Sequence, residues 1–179
     1  MSQGNEVLAK LAPRLWNSSA APHTFAVLDG AANEGLLDAL YGSNGPKFEC
    51  LFTGDLAPDM AMVAPYLAEM NEGSDFARWA VEGGWGEHWG LFVLSRVELP
   101  ELWRHLRSLT RIYDPDGKPL FFRFYDPRVL RLFLPTCNAE QLQVIFGPVD
   151  RFIVEGPTPE EGLALSIAAG KLVEDKFLL

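Results

Sequence analysis

The chain has 179 residues, 48% of them hydrophobic, and carries a formal charge of −9. This length suits one compact domain with its own core, and the negative charge disfavours general binding to the phosphate backbone of nucleic acids. A disulfide framework or a thiolate metal site would need several closely spaced cysteines, whereas Cys50 and Cys137 lie far apart. We expect both to be ordinary packing thiols.

The N-terminal residues show no basic stretch followed by an apolar segment. No uncharged apolar run reaches the roughly 18 residues that a membrane-spanning helix needs. A secretory signal or a membrane anchor would require one of these features. We therefore expect a cytoplasmic protein that does not bind membranes.

Apolar periodicity and turn residues predict an irregular alternation of helices and strands in the first half of the chain. The predicted helices are residues 5–16, 33–41 and 75–81, and the predicted strands are 23–29, 47–52, 64–69 and 89–95. Pro13 disturbs the first helix, which could lie apart from the core. Asn33 and Ser74 are suitable N-caps for the second and third helices. The run at 89–95 is apolar on both faces, which is typical of a strand in the middle of a sheet.

In the second half, Pro100 suits the first turn of a helix that buries Leu102 and Leu106. A turn at residues 115–117 then precedes a predicted strand at 120–125. The alternation of this strand puts three side chains on one face: Phe121, Arg123 and Tyr125.

Arg123 needs partners for its donors, because a guanidinium between aromatic neighbours cannot stay unsatisfied. Two readings stay open. Asp126 or Asp29 could pair with it inside the fold, or it could contact a binding partner directly.

Three further helix starts follow that strand. Asp126 places a capping carboxylate before Pro127 at the first helical position. Asn138 opens a capping box for a helix that Gly147 and Pro148 end. After a strand at residues 151–155, a capping box at residues 158–161 predicts a C-terminal helix packed on the core.

Together these elements predict a single α+β (mixed α/β) domain with a central mixed sheet flanked by helices. We divide the chain into an N-terminal helix and connector at residues 1–22, a core domain at 23–156, and the capped C-terminal helix at 157–179.

No pattern of residues indicates catalysis or metal binding. The three histidines are scattered without an H-E-x-x-H motif, and neither a phosphate-binding glycine loop nor G-x-S-x-G occurs. We therefore expect no enzymatic activity, no metal and no cofactor. The alternative that stays open is a hydrolase that uses polar residues at strand and helix ends: Asp29, His105, Arg123 and Asp126.

Positive charge is concentrated between Arg96 and Arg131, a segment that contains eight basic and five acidic residues. Three of the basic residues recur at helical spacing and are expected to project together: Arg104, Arg107 and Arg111. They form either a solvated face balanced by acidic neighbours or a surface for an acidic partner. Trp85 and Trp89 stand among four glycines, where they either cover one end of the core or anchor a partner.

Six phrases of the sequence together resemble one family. They are F-A-V-L-D-G-A from Phe25, V-A-P-Y-L from Val63, G-W-G from Gly84 with W-G from Trp89, L-W-R-H-L-R from Leu102, R-F-Y-D-P-R-V-L from Arg123 and F-G-P-V from Phe146. Their order and spacing over residues 25–155 resemble the bacterial family called domain of unknown function 4123. The resemblance implies an adaptor chaperone of type VI secretion, which holds a toxic effector in the cytosol and helps to load it on the VgrG spike.

From their clustering in these phrases, we predict the following partner-binding residues: Trp85, Trp89, Arg104, Arg107, Arg111, Arg123, Tyr125 and Arg128. The residues predicted to be structural are Asp29, Asp126, Pro127, Gly147 and Pro148. The implied partner is the cognate effector, with its N-terminal segment as the candidate region, and direct contact with VgrG stays open. An immunity protein that blocks a toxin is a further alternative.

Overall fold

The computed structural model describes residues 3–113 and 116–179. The helices in these ranges are α1 (Gln3–Trp16), α2 (Leu36–Tyr41), α3 (Pro58–Met62), α4 (Asp75–Gly84), α5 (Leu99–Leu109), α6 (Pro127–Phe133) and α7 (Ala139–Phe146). The strands are β1 (His23–Asp29), β2 (Phe48–Cys50), β3 (Pro65–Glu69), β4 (Gly90–Ser95), β5 (Arg111–Tyr113), β6 (Pro119–Phe121), β7 (Val149–Glu155), β8 (Glu161–Ala168) and β9 (Lys171–Leu178). The predicted turn at 115–117 begins at Pro115, which lies outside the described residues.

Seven of these strands form one sheet in the order β2-β3-β1-β4-β7-β8-β9, with antiparallel neighbours throughout. β5 and β6 form a separate hairpin. The predicted α+β class is confirmed, with helices on both faces of the central sheet, but the described sheet is antiparallel and not mixed as predicted. β4 occupies the middle position, as its run of apolar residues on both faces predicted.

Two apolar clusters lie on opposite faces of the sheet. In β1, Phe25 and Val27 pack with α5, α6 and α7, whereas Ala26 and Leu28 pack with α1, α2 and α4. This alternation follows from the two-residue period of a strand. The molecule is therefore a sheet buried between two helical layers.

Several caps predicted from the sequence are present. The Ser74 hydroxyl accepts from the Ala77 N–H, and an Asp126 carboxylate oxygen accepts from the Arg128 N–H. Asn138 and Gln141 form a reciprocal capping box at the start of α7. The prediction for Asn33 is wrong, because α2 begins at Leu36 and Asn33 instead accepts from the Gly35 N–H in the preceding turn.

The first helix belongs to the core and does not lie apart from it. Leu11 and Leu15 of α1 are fully buried, and the Trp16 indole donates to the Met70 carbonyl. The Thr24 hydroxyl also donates to the Leu15 carbonyl, which ties the end of α1 to β1. Pro13 leaves the helix continuous.

The predicted C-terminal helix at residues 157–179 is wrong, because this segment forms the β8–β9 hairpin. β8 pairs with β7 on one side and β9 on the other, so its apolar residues are buried in a sheet and not on a helix face. Ala169 and Gly170 connect the strands with φ of 50° and 72°, the left-handed backbone of a two-residue hairpin turn. The Phe177 ring lies over Gly162, where a Cβ would come within 2.2 Å of it.

The strand predicted at residues 120–125 ends early, since β6 stops at Phe121. The chain then turns, with the Asp126 N–H donating to the Arg123 carbonyl. Phe121 and Arg123 are exposed whereas Tyr125 is buried, so the predicted alternation continues to Arg123 and fails at Tyr125. The local alternation is interrupted because the chain must enter α6.

The turn between β8 and β9 yields a test that separates a hairpin from a helix. Ala169→Gly should raise the free energy of unfolding by up to about 1 kcal/mol, because glycine adopts a left-handed backbone without the cost that a Cβ imposes. In a helix the same change would lower stability by about 1 kcal/mol. Ala168→Gly, in the adjoining strand position, should be destabilising and serves as the control. Chemical denaturation measures both changes.

Candidate partner-binding site

A groove of about 500 Å³ opens between α5, the segment that follows β2, and the β5–β6 hairpin. Its lining combines arginines with aromatic and aliphatic side chains: Arg104, Arg107, Arg111, Phe52, Met60, Tyr113 and Phe121. We call it the basic groove. The three arginines grouped by the sequence are therefore together in the structure.

The packing of α5 directs these arginines outward. Leu102 and Leu106 are fully buried against the sheet, so the opposite face of the helix reaches the groove. Arg104 Nε donates to the Pro100 carbonyl at 3.1 Å. Arg111 corrects the prediction in one detail, because it begins β5 and does not extend the helix.

Trp103 supports the floor of this region. Its indole N–H donates to the Cys50 carbonyl at 2.7 Å, and the Arg107 guanidinium lies 4.5 Å from its ring centre. An arginine stacked on a ring keeps its donors free for a ligand while its flat face is covered. Arg107 is thus positioned without being neutralised.

The charge of the basic groove is not compensated by the parts of the chain that the structure describes. Within those parts, no carboxylate lies within ion-pair distance of Arg104, Arg107 or Arg111. Arg14 and Arg96, by contrast, each contact an aspartate at about 3 Å. Among the described residues, the guanidinium groups of the basic groove therefore keep donors that no carboxylate accepts.

Aromatic rings complete the rim of the basic groove. Phe121 is 74% exposed and Tyr113 is 65% exposed, and the Phe121 ring packs on Phe52 with 6.0 Å between ring centres. Met60 is partly exposed beside them. Clustered exposed apolar side chains mark interaction surfaces more often than isolated ones do. The basic groove thus combines charge with apolar area.

A separate charged cluster lies at one end of the sheet, before α6. Arg123 Nη2 donates to Asp29 Oδ2 at 2.5 Å and lies 4.0 Å from Asp126. Arg128 binds both carboxylate oxygens of Asp126, at 3.0 and 2.8 Å. Of the two readings for Arg123, the structure shows the internal pair, which ties the end of β1 to the start of α6.

Burial and hydrogen bonds set the protonation of this charged cluster. The hydrogen bond with Asp29 raises the pKa of Arg123. Burial would raise the pKa of Asp126, but the hydrogen bonds from Arg128 outweigh it and lower that pKa below its ordinary value. Burial also raises the pKa of Tyr125 to about 12. Arg123 and Asp126 therefore stay charged, and Tyr125 stays neutral, at physiological pH.

Glu155 extends the charged cluster along the same end of the sheet, and sequence reasoning missed it. Its buried carboxylate lies 2.6 Å from His88 Nδ1, and its carbonyl accepts from Arg131 Nη1 at 2.6 Å. Burial raises the pKa of Glu155 against the lowering effect of His88. An acid at the end of an otherwise apolar strand was the signal in the sequence.

The two tryptophans lie on the other face of the sheet from the basic groove. Trp89 packs on Trp79 with 5.0 Å between ring centres and lies over Gly83 and Gly84, where a Cβ would approach within 2.9 Å. The Trp85 indole donates to the Pro159 carbonyl at 2.8 Å. Both rings cover the second apolar cluster. Their role as partner anchors stays a prediction.

His105 is held at the far end of the sheet from Asp29. Its Nε2 donates to the Ile145 carbonyl, burial lowers its pKa, and its ring lies against Gly147. Pro148 in turn accepts from the Ser95 hydroxyl. Because Ser95 pairs with the first residue of β1 and Asp29 is the last, these two ends lie roughly 20 Å apart.

The four residues of the hydrolase alternative are thus not brought together. Arg123 and Asp126 join Asp29, whereas His105 lies elsewhere. Over residues 3–113 and 116–179, no three histidine, cysteine or acidic side chains form a group that could hold a metal ion.

The sequence profile of the family described as a domain of unknown function (DUF4123) matches residues 24–144. The chain belongs to this family. No curated protein and no solved structure matches it. The matched residues include the basic groove and the Asp29–Arg123 pair, whereas the β8–β9 hairpin lies beyond them. None of the described helices has the length and apolarity needed to cross a bilayer.

The low pKa of Asp126 predicts a pH-dependent contribution to stability. A depressed pKa in the folded state stabilises above the ordinary value of 3.8 and is lost as the pH falls through the folded value. Asp126→Asn keeps a capping oxygen but removes the charge, and should cost about 1 kcal/mol at neutral pH.

Asp126→Ala also removes the cap and should cost roughly 1 kcal/mol more. The difference between the wild type and Asp126→Asn should shrink below pH 3.8. Urea denaturation across this pH range measures it, and a pH-independent difference would show that the ion pairs contribute nothing.

Proposed function

We propose that this DUF4123 protein is a cytoplasmic adaptor of type VI secretion that binds a cognate effector and helps to load it on the VgrG spike. The basic groove carries the proposal, because it places beside exposed aromatic rings three arginines that have no described carboxylate within ion-pair distance, on a chain that is acidic overall. Family membership and the resemblance of its sequence phrases support the same role.

The chemistry of the basic groove suits a protein segment better than a small metabolite. Arginine and aromatic residues are enriched at protein interfaces and dominate their binding energy. The groove is open along α5 and the β5–β6 hairpin, so an extended segment can lie across it. Its arginines would bind acidic side chains while Phe121 and Tyr113 cover apolar ones.

The overall charge of the chain explains how such a groove can be selective. The chain carries a net charge of −9, so its positive potential is local. An acidic segment of an effector is attracted to the groove, whereas the polyanionic backbone of a nucleic acid is repelled by the rest of the surface. The N-terminal segment of the effector is our candidate for the bound region.

The charged cluster has a different part in this proposal. Arg123 and Arg128 are already bound to aspartates, so we assign them to the frame that orients the neighbouring groove. The hydrolase alternative receives no support from this arrangement, since His105 lies away from Asp29 and Arg123. The adaptor therefore acts by stoichiometric binding.

The first test reverses charge in the basic groove. The double substitution Arg104→Glu and Arg107→Glu should weaken effector binding at least tenfold, which corresponds to about 1.4 kcal/mol, because acidic groups of the client would then be repelled. Co-expression pull-down and calorimetry with the effector encoded beside the gene measure it. Neither arginine pairs with a described carboxylate, so the fold should persist.

Arg78→Glu is the matched control, because Arg78 is exposed on α4 at the opposite face of the sheet. It should leave capture unchanged. Unchanged capture by a folded double variant would remove the basic groove from the proposal. Protection of the host from the toxin without any effect on secretion would instead favour an immunity protein.

The second test removes one ring. Phe121→Ala should weaken effector binding by about 2 kcal/mol if this exposed ring is a binding hot spot. Thermal stability should change little, because the Phe121 side chain is largely exposed. Val144→Ala on α7, another exposed apolar side chain, is the control. Equal affinities for the two variants would contradict the assignment of Phe121.

A further inference from the structure

β9 is a long strand at the end of the main sheet. It pairs with β8 over all eight of its residues, and no other described strand pairs with its outer side. Such an edge offers a row of backbone donors and acceptors to any strand of suitable sequence, and proteins usually shorten, bend or cover it. The length of β9 therefore needs an explanation.

Two hydrogen bonds determine which residues of β9 direct their backbone groups outward. The Leu179 N–H donates to the Glu160 carbonyl, and the Gly156 N–H donates to the Glu161 carbonyl. Because bonding alternates along antiparallel strands, even-numbered residues of β8 bond to β9 and odd-numbered ones bond to β7. The outward residues of β9 are consequently Leu172, Glu174, Lys176 and Leu178.

We propose that this edge binds a second copy of the chain, so that the two β9 strands pair antiparallel about a two-fold axis at Asp175. Each Glu174 then faces Lys176 of the second copy, and each Leu172 faces Leu178. These pairs join residues that all have outward backbone groups. On the other face of the sheet, Val173 lies opposite Phe177. Two-fold symmetry forms every pair twice.

The charges of β9 select this register over its neighbours. The nearest alternative registers that keep outward backbone groups opposite one another put Glu174 opposite Glu174 or Lys176 opposite Lys176. Like charges directly opposite each other are unfavourable. A shift that leaves a bonding residue opposite a non-bonding one loses the hydrogen bonds. Among the β9 residues with outward backbone groups, Glu174 and Lys176 carry opposite charges. This set is therefore complementary to a second copy of itself and less suited to a strongly charged partner.

Asp175 would face its own counterpart at the axis. Each Asp175 accepts from Arg14 Nη1 at 3.0 Å, and the same guanidinium lies over the Phe177 ring at 3.9 Å from its centre. The charge at the axis is thus compensated within each copy. This contact removes the principal repulsion from the proposed pairing.

Apolar area at the end of β9 adds to the pairing. Leu178 and Leu132 are both 78% exposed, and they line a groove of about 570 Å³ between α6 and the outer strands. The second copy would place Leu172 against Leu178 and cover part of this groove. An interface built on one strand is small, so we expect dissociation within the concentration range of sedimentation experiments.

Charge exchange in β9 tests the proposal. Glu174→Lys and Lys176→Glu should each weaken self-association at least tenfold in sedimentation equilibrium, because each puts like charges opposite one another. The double variant should restore it. A mixture of the two single variants should form the heterodimer. Lys171→Glu changes the charge of the same strand outside these pairs and should have little effect.

A cross-link tests the register. Paired residues at a non-bonded position have Cα atoms about 4.5 Å apart, which permits a disulfide. Asp175→Cys should therefore form a covalent dimer under mild oxidation, whereas Val173→Cys should not. The wild-type protein is the control for disulfides formed by its own free cysteines, Cys50 and Cys137.

A chain that stays monomeric at all concentrations would overturn the proposal. Self-association that is unaffected by Glu174→Lys would also overturn it. The same holds if the β9 edge binds only a strand of another protein. Effector capture through the basic groove should persist in Glu174→Lys, because β9 does not line that groove. The two proposals therefore fail separately.

Discussion

The rest of the structure depends on burial of the central strands on both faces. β1, β4 and β7 carry apolar side chains towards both helical layers, so polar groups are restricted to strand ends, outer strands and exposed helix faces. Asp29 and Glu155 end two of these strands. Arg123, just before α6, pairs with the Asp29 carboxylate, whereas His88, just before β4, contacts the Glu155 carboxylate.

Arginines in this molecule divide into two groups with different surroundings. Arg123 and Arg128 bind buried aspartates and hold the chain where β6 gives way to α6. Arg104, Arg107 and Arg111 line a groove without a described carboxylate in ion-pair range. A charged group that is already paired adds little binding energy with a new partner, whereas a free guanidinium next to exposed rings can add much. This contrast is why the groove, and not the charged cluster, carries the functional proposal.

Local signals predicted most elements but not the C-terminal hairpin. The capping pattern at residues 158–161 and the apolar residues after it satisfy helical periodicity, yet β8 is buried between two strands and satisfies a buried strand equally well. A short apolar run does not distinguish these states, because the choice depends on whether β7 has a free edge to pair. Similarly, Tyr125 was assigned to a strand face, since alternation cannot foresee the turn into α6.

The sequence by itself determined the caps at Ser74, Asp126 and Asn138, the buried stripe of α5, the central position of β4 and the grouping of three arginines, because each depends on residues a few positions apart. Tertiary structure alone decided which carboxylate neutralises Arg123, that Trp85 and Trp89 lie away from the basic groove, and that β9 forms the edge of the sheet. These outcomes depend on strand order and on which faces meet, and spacing along the chain does not contain that information.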